Sequence, residues 1–215
     1  MKKLILILTF AIGFASSAYA TDTGCLGVSG IGTAPPPGVS CPTPATTSTY
    51  AAMGYGIVPA ASATDIACIT GSATKVVRVE EIRVSGNAGT LVTLPVLLTK
   101  HSVANTGGTA ATTTALPVPA AIDSGNSAAT ATTTAYTANP TVDSTATRVD
   151  AITISLNTTS ALVAGGAASF NFSQLRYSQQ PTLRGVAEQL CVNLGGVSVT
   201  SGAIAVSFRW TESAH

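Results

Sequence analysis

Near the C-terminal end of the chain, Ile204, Val206, Phe208 and Trp210 alternate with Ala205, Ser207, Arg209 and Thr211. A period of two scatters around a helix but falls on one face of an extended strand. The pattern therefore predicts a strand with one side in a core and the other near water. It recurs upstream, where Ile152, Ile154 and Leu156 alternate with Ala151, Thr153 and Ser155, and Phe170 and Phe172 flank Asn171. Between Leu183 and Leu194, residues Val186, Leu190, Val192 and Leu194 share a parity that Glu188 interrupts, and Gly195-Gly196 then turns the chain. A chain patterned this way is built from sheets.

The earlier segments follow with more irregularity. Asp65–Thr70 reads as a short strand. In Lys75–Val84, Val77 and Val79 share one parity and Ile82 and Val84 the other, so the phase slips at Glu80-Glu81. Strict alternation along a strand makes such a slip a β-bulge. Thr90–Thr99 is almost continuously apolar, which predicts burial on both faces, and Pro95 within it predicts an edge position or a bulge. The stretch 101–127 reads as a long excursion with one helical turn near Asn126. Ala128–Thr137 is a weak strand, and Asn139-Pro140 marks a turn. About eight strands with little helix predict an antiparallel β-sandwich, and the long connections at 101–127 and 157–168 make it jelly-roll-like. Packing of Trp210 against Phe170 and Phe172 is expected to contribute about 2 kcal/mol per large side chain.

The N-terminal end has the three parts of a secretory signal: Lys2-Lys3, an apolar run from Leu4 to Ala15, and Ala18-Tyr19-Ala20. Cleavage is expected after Ala20. The run falls short of the roughly 20 residues of a membrane span, so no stable anchor is expected after cleavage. The expected location is the periplasm, the cell surface or the extracellular space. Residues 21–54 form a Pro/Gly/Thr-rich head, in which Pro35-Pro36-Pro37 and Pro42-Thr43-Pro44 favour extended chain. Residues 55–215 form the sandwich. In an exported chain the four cysteines, Cys25, Cys41, Cys68 and Cys191, read as two disulfides. Of the three pairings, Cys25–Cys41 within the head and Cys68–Cys191 between strands are favoured. C-x-x-C and H-x-x-x-H spacings are absent, so no metal is expected.

Charge excludes some partners. The formal net charge of +1 becomes −1 once Lys2 and Lys3 are removed, and only 9% of residues are charged. This offers no basic surface for nucleic acid and little protection against self-association. Catalytic signals are equally sparse. Of two histidines, His101 is expected to be solvated at a strand end and His215 is the last residue. Glu80 and Glu81 are adjacent, which does not converge them across a cleft. Asp143 and Asp150 read as turn residues. No catalytic residue and no cofactor are therefore expected. Among the tyrosines, Tyr136 and Tyr177 are candidates for surface recognition of a sugar, against packing in the core or at its rim.

Several segments resemble small virion-associated proteins of tailed bacteriophages. They are Lys75-Val-Val-Arg-Val-Glu-Glu-Ile-Arg-Val-Ser-Gly86, Val96-Leu-Leu-Thr-Lys-His-Ser102, Ala135-Tyr-Thr-Ala-Asn-Pro-Thr141, Leu183-Arg-Gly-Val-Ala-Glu-Gln-Leu-Cys-Val-Asn-Leu194 and Phe208-Arg-Trp-Thr-Glu212. The likeness covers about 63–213; the signal peptide and the cysteine-containing head depart from it. It implies a β-sandwich that decorates a particle or belongs to a fibre, with the virion as an alternative location. The expected function is thus a non-enzymatic structural or decoration protein, its partner itself or a larger particle. The alternative is a secreted carbohydrate-binding or adhesin-like module with a glycan partner.

Overall fold

A computed structural model describes residues 47–110, 119–158, 166–173 and 179–214. The expected signal peptide with Ala20, the Cys25–Cys41 pairing and Tyr177 lie outside the described residues. The described strands are β1 (Ser48–Ile57), β2 (Asp65–Thr70), β3 (Lys75–Asn87), β4 (Val92–His101), β5 (Thr109–Ala110), β6 (Ala120–Ala121), β7 (Thr132–Ala138), β8 (Thr147–Leu156), β9 (Ala167–Asn171), β10 (Thr182–Arg184), β11 (Gln189–Asn193) and β12 (Ala203–Ala214). No helix occurs among the described residues. The expected helical turn near Asn126 is a plain turn, closed by a bond from Asn126 N–H to the Asp123 carbonyl at 3.0 Å. β1 begins at Ser48, so the sandwich takes in part of the expected head.

The strands form two antiparallel sheets. One runs β10-β3-β12-β1-β6, with β9 also paired to β3; the other runs β5-β7-β2-β11-β4-β8. Their facing sides share one apolar core. The chain is a β-sandwich, as its alternating pattern predicts. The first sheet contributes Tyr50, Val77, Val79, Ile82, Val84, Val206, Phe208 and Trp210, and the second Ile69, Leu94, Val96, Leu98, Leu190 and Val192. Trp210 shares one buried cluster with Phe170, against which Phe172 packs, and it stacks on Tyr50, directly opposite on β1, with ring centroids 5.9 Å apart. Phe170 sits deeper along the core on β9, opposite Ile82.

The predicted bulge is present. β12 pairs Arg209 with Glu81 and then Trp210 with Val79, so Glu80 is the extra residue. It keeps Val77, Val79, Ile82 and Val84 all buried despite their change of parity. β4 differs from expectation. Leu94, Val96 and Leu98 are buried while Thr93 is exposed, so the strand is buried chiefly on one face. β4 lies inside its sheet, but Pro95 is paired only to Thr153 of β8, because the β11 ladder stops at Leu97. The missing proline N–H therefore costs no sheet bond on that side. Beyond β11, Gly195 and Gly196 turn the chain with φ of 63° and 82°, angles that only glycine takes freely.

Candidate functional site

The second sheet carries a small polar core on its other side. Leu190 and Val192 of β11 face the apolar core, so Gln189, Cys191 and Asn193 face away from it. Cys191 pairs in register with Cys68 of β2 on one side and Thr99 of β4 on the other. Cys68 and Cys191 form a disulfide, as favoured from sequence, and both are fully buried. His101 lies two residues beyond Thr99 on the same face of β4.

Asp65 reaches this face through a second bulge. β11 pairs Val192 with Ala67 and then Asn193 with Asp65, leaving Ile66 as the extra residue. Without the bulge at Ile66, Asp65 and Cys68, three positions apart in sequence, would point to opposite faces of a regular strand. With it, Asp65 joins the disulfide, and Ile66 itself is buried in the main core.

The loop after β4 closes over the cluster. Asn105 N–H donates to Gln189 Oε1 at 2.8 Å, and Asn105 Nδ2 donates to Asp65 Oδ2 at 2.7 Å. The same amide nitrogen lies 3.6 Å from Cys68 Sγ and 3.7 Å from Cys191 Sγ. Paired backbone bonds between Thr106 and Thr141 anchor the loop. Tyr136 of β7 packs against both cysteines from the side. Under this cover Asp65 is 1% exposed and His101 0%.

Asp65 is the hub. Its Oδ1 accepts from Asn193 Nδ2 at 2.6 Å and from the Thr99 hydroxyl at 3.4 Å, while His101 Nε2 lies 3.2 Å from Oδ2. Burial alone would raise its pKa, but the hydrogen bonds from His101, Asn105 and Asn193 outweigh it and hold the carboxyl below its ordinary value. Burial and then the Asp65 charge push the Tyr136 phenol up. Two polar atoms in the cluster have no hydrogen-bond partner among the described residues: His101 Nδ1 and Asn105 Oδ1.

The arrangement is not a nucleophile–histidine–acid relay. Such a relay puts the acid on one ring nitrogen and the hydroxyl on the other. Here Thr99 Oγ1, at 3.1 Å, and Asp65 Oδ2 both meet Nε2. The expectation that His101 is solvated is corrected: a sealed pocket holds it, and its carboxylate partner comes from a strand two places away in the sheet. Glu80 and Glu81 do not converge; Glu80 pairs with Arg209 at 3.3 Å and Glu81 with Arg83 at 2.7 Å. Asp143 does hold a turn, accepting from Thr145 N–H at 3.0 Å. The surface role considered for Tyr136 is also corrected, because it is 7% exposed and covers the disulfide. Tyr55, by contrast, is 64% exposed on β1.

Outside the cluster, a groove of about 550 Å³ is lined by Arg78, Lys100, Phe172, Gln180, Arg184 and Glu188, among others. Glu188 organises it, bonding Lys100 Nζ at 3.3 Å and Arg184 N–H at 2.9 Å. Arg78 donates to Ser213 at 2.6 Å. The polar lining suits a polar ligand held by hydrogen bonds. No family model, curated protein or solved structure matches this chain.

Proposed function

We propose that the protein is a non-enzymatic structural module of an exported or particle-bound assembly, acting through its sheet surfaces. The observation that carries this reading is β8. It is ten residues long, lies at the edge of its sheet, and its first seven residues are exposed. Val149 is 47% and Ile152 39% exposed on it. On its outer side no strand pairs with it among the described residues. An edge strand of this length offers backbone donors and acceptors to a further strand, and apolar side chains beside them add buried area. The low charge of the chain offers weak resistance to such pairing. Burial of His101 and Asp65, the pair with most chemical potential, agrees with a role that needs no turnover. The particle half of the reading rests on the residue-level resemblance to phage virion-associated proteins.

Export is supported by the buried Cys68–Cys191 disulfide, which persists in oxidising compartments. No helix among the described residues is long and apolar enough to cross a membrane. Sedimentation of the signal-free protein over a range of concentrations tests the assembly. Reversible association is expected, and a V149K/I152K double variant should shift it toward monomer. A wild-type protein that stays monomeric at every concentration and binds no particle overturns the reading.

A second reading has its own observation, the groove of Arg78, Lys100, Phe172 and Arg184. Guanidinium and amide groups beside an aromatic ring fit a secreted glycan-binding or adhesin-like module. A glycan array distinguishes it: binding that R78A and R184A abolish supports this reading, and no bound glycan rejects it.

A further inference from the structure

We propose that the protein has a redox-gated metal site: with the Cys68–Cys191 bond reduced, the cluster binds one divalent cation of the zinc type. The ligands are the two thiolates, a ring nitrogen of His101 and a carboxylate oxygen of Asp65. Ligand atoms of Asp65, His101 and Cys191 already lie within 4.8 Å of one another, and all three residues are buried. Cys68 Sγ is bonded to Cys191 Sγ, so opening that bond adds a fourth donor at the same place.

The position of the cation is marked by Asn105. Its Nδ2 sits 2.7 Å from Asp65 Oδ2 and within 3.7 Å of both sulfurs, so carboxylate and sulfurs face one partly positive group. That amide is poorly anchored otherwise, since its Oδ1 has no partner among the described residues. His101 Nδ1 is likewise buried without a partner. An imidazole, a carboxylate and two thiolates are a donor set that suits zinc and disfavours calcium or magnesium. Asn193 and Thr99, bonded to Asp65 Oδ1, orient the carboxylate as outer partners do in metal sites. A surface cavity of about 200 Å³ lies beside the cluster, with His101 and Ser102 in its lining.

The chemistry balances with a dithiol as reductant. The dithiol gives two electrons and two protons to the Cys68–Cys191 bond and closes to its own disulfide. The S–S bond breaks into two thiols. The cation then displaces the two thiol protons to solvent and takes the thiolates. Oxidised protein has no thiolates to offer, so metal and disulfide exclude each other at this place.

The test uses the signal-free chain carrying C25S and C41S, so that Cys68 and Cys191 supply the only thiols. After reduction with dithiothreitol and anaerobic desalting, Co(II) is the probe. Thiolate-to-cobalt bands in the near ultraviolet and tetrahedral bands in the visible are expected at one equivalent, with displacement by Zn(II). Oxidised protein should show neither. H101A and D65N should each weaken Co(II) binding by at least about tenfold. Zn(II) should also raise the melting temperature of reduced protein, because a native site stabilises the fold that forms it. Absence of the bands overturns the proposal. So do bands whose strength H101A and D65N leave unchanged without any zinc-dependent rise in melting temperature, because they report unfolded thiols only.

Discussion

At the scale of single residues, two buried carboxylates, Glu212 and Asp65, each gather several hydrogen bonds. Glu212, 2% exposed on β12, accepts from Thr130 N–H, the Thr130 hydroxyl at 2.7 Å, Ala131 N–H at 2.9 Å and the Trp210 indole at 3.1 Å. It pins the loop before β7 to the core tryptophan. Burial pushes its pKa up, but the bonds from Ala131, Thr130 and Trp210 prevail and hold it below the ordinary 4.5. Asp65 is held below 3.8 in the same sense. A carboxyl depressed on folding contributes stability that is complete above its unfolded pKa and is lost as pH falls through the folded one. Urea midpoints should therefore be flat above about pH 5 and fall progressively below pH 4, and the fall should be shallower in E212Q. At neutral pH, E212A should lower stability by about 2–4 kcal/mol, because it strands two buried donors, Ala131 N–H and the Trp210 indole, and loses two further bonds from Thr130; chemical denaturation reads this directly. The sequence contained Glu212 but no sign of its role, since Thr130 and Ala131 are distant along the chain.

Two bulges, which look alike in the fold, differed in how legible they were at the scale of elements. The one at Glu80 showed itself because apolar residues lie on both sides of it and change parity together. The one at Ile66 was silent, since Asp65 is the first residue of its strand and leaves no second apolar position before it to betray the slip. The buried cluster was hidden for that reason, and because its members come from β2, β4 and β11, brought together only by sheet order. Removing each extra residue separates backbone from side chain. Deleting Glu80 should cost far more stability than E80A, which loses only a surface pair with Arg209 worth at most about 1 kcal/mol. Comparison of their thermal melts checks this; equal midpoints would mean that β3 tolerates a regular register. The disulfide belongs to the same scale. It links residues 123 apart in sequence, and a loop of that size predicts about 5 kcal/mol of stabilisation. The protein with C25S and C41S should melt well below its oxidised midpoint once reduced, and an unchanged midpoint would remove the cross-link from the stability argument.

At the scale of the whole molecule, no two neighbouring strands in either sheet are consecutive in sequence among the described residues. β1 lies beside β12, β2 beside β11, and β4 between β11 and β8. The overall class was legible because alternation is a local signal that survives any topology. The order of strands was not, because no local signal says which edge meets which. A fold made of distant pairings forms slowly, since loop-closure entropy is spent before contacts offset it. Refolding from urea should therefore take milliseconds to seconds and should show no microsecond phase; stopped-flow fluorescence of Trp210, stacked on Tyr50, is the natural probe.

The place of β12 has one more consequence. It pairs with β3 on one side and β1 on the other, so the middle of its sheet is a strand made later than both of its neighbours. A nascent chain that has not yet emerged through Phe208 and Trp210 lacks the residues that join β1 to β3. It cannot close its core early, whatever its earlier strands do. A protein arranged like this stays pliable while β1 and β3 are made, and its first sheet locks only once β12 is free to enter between them.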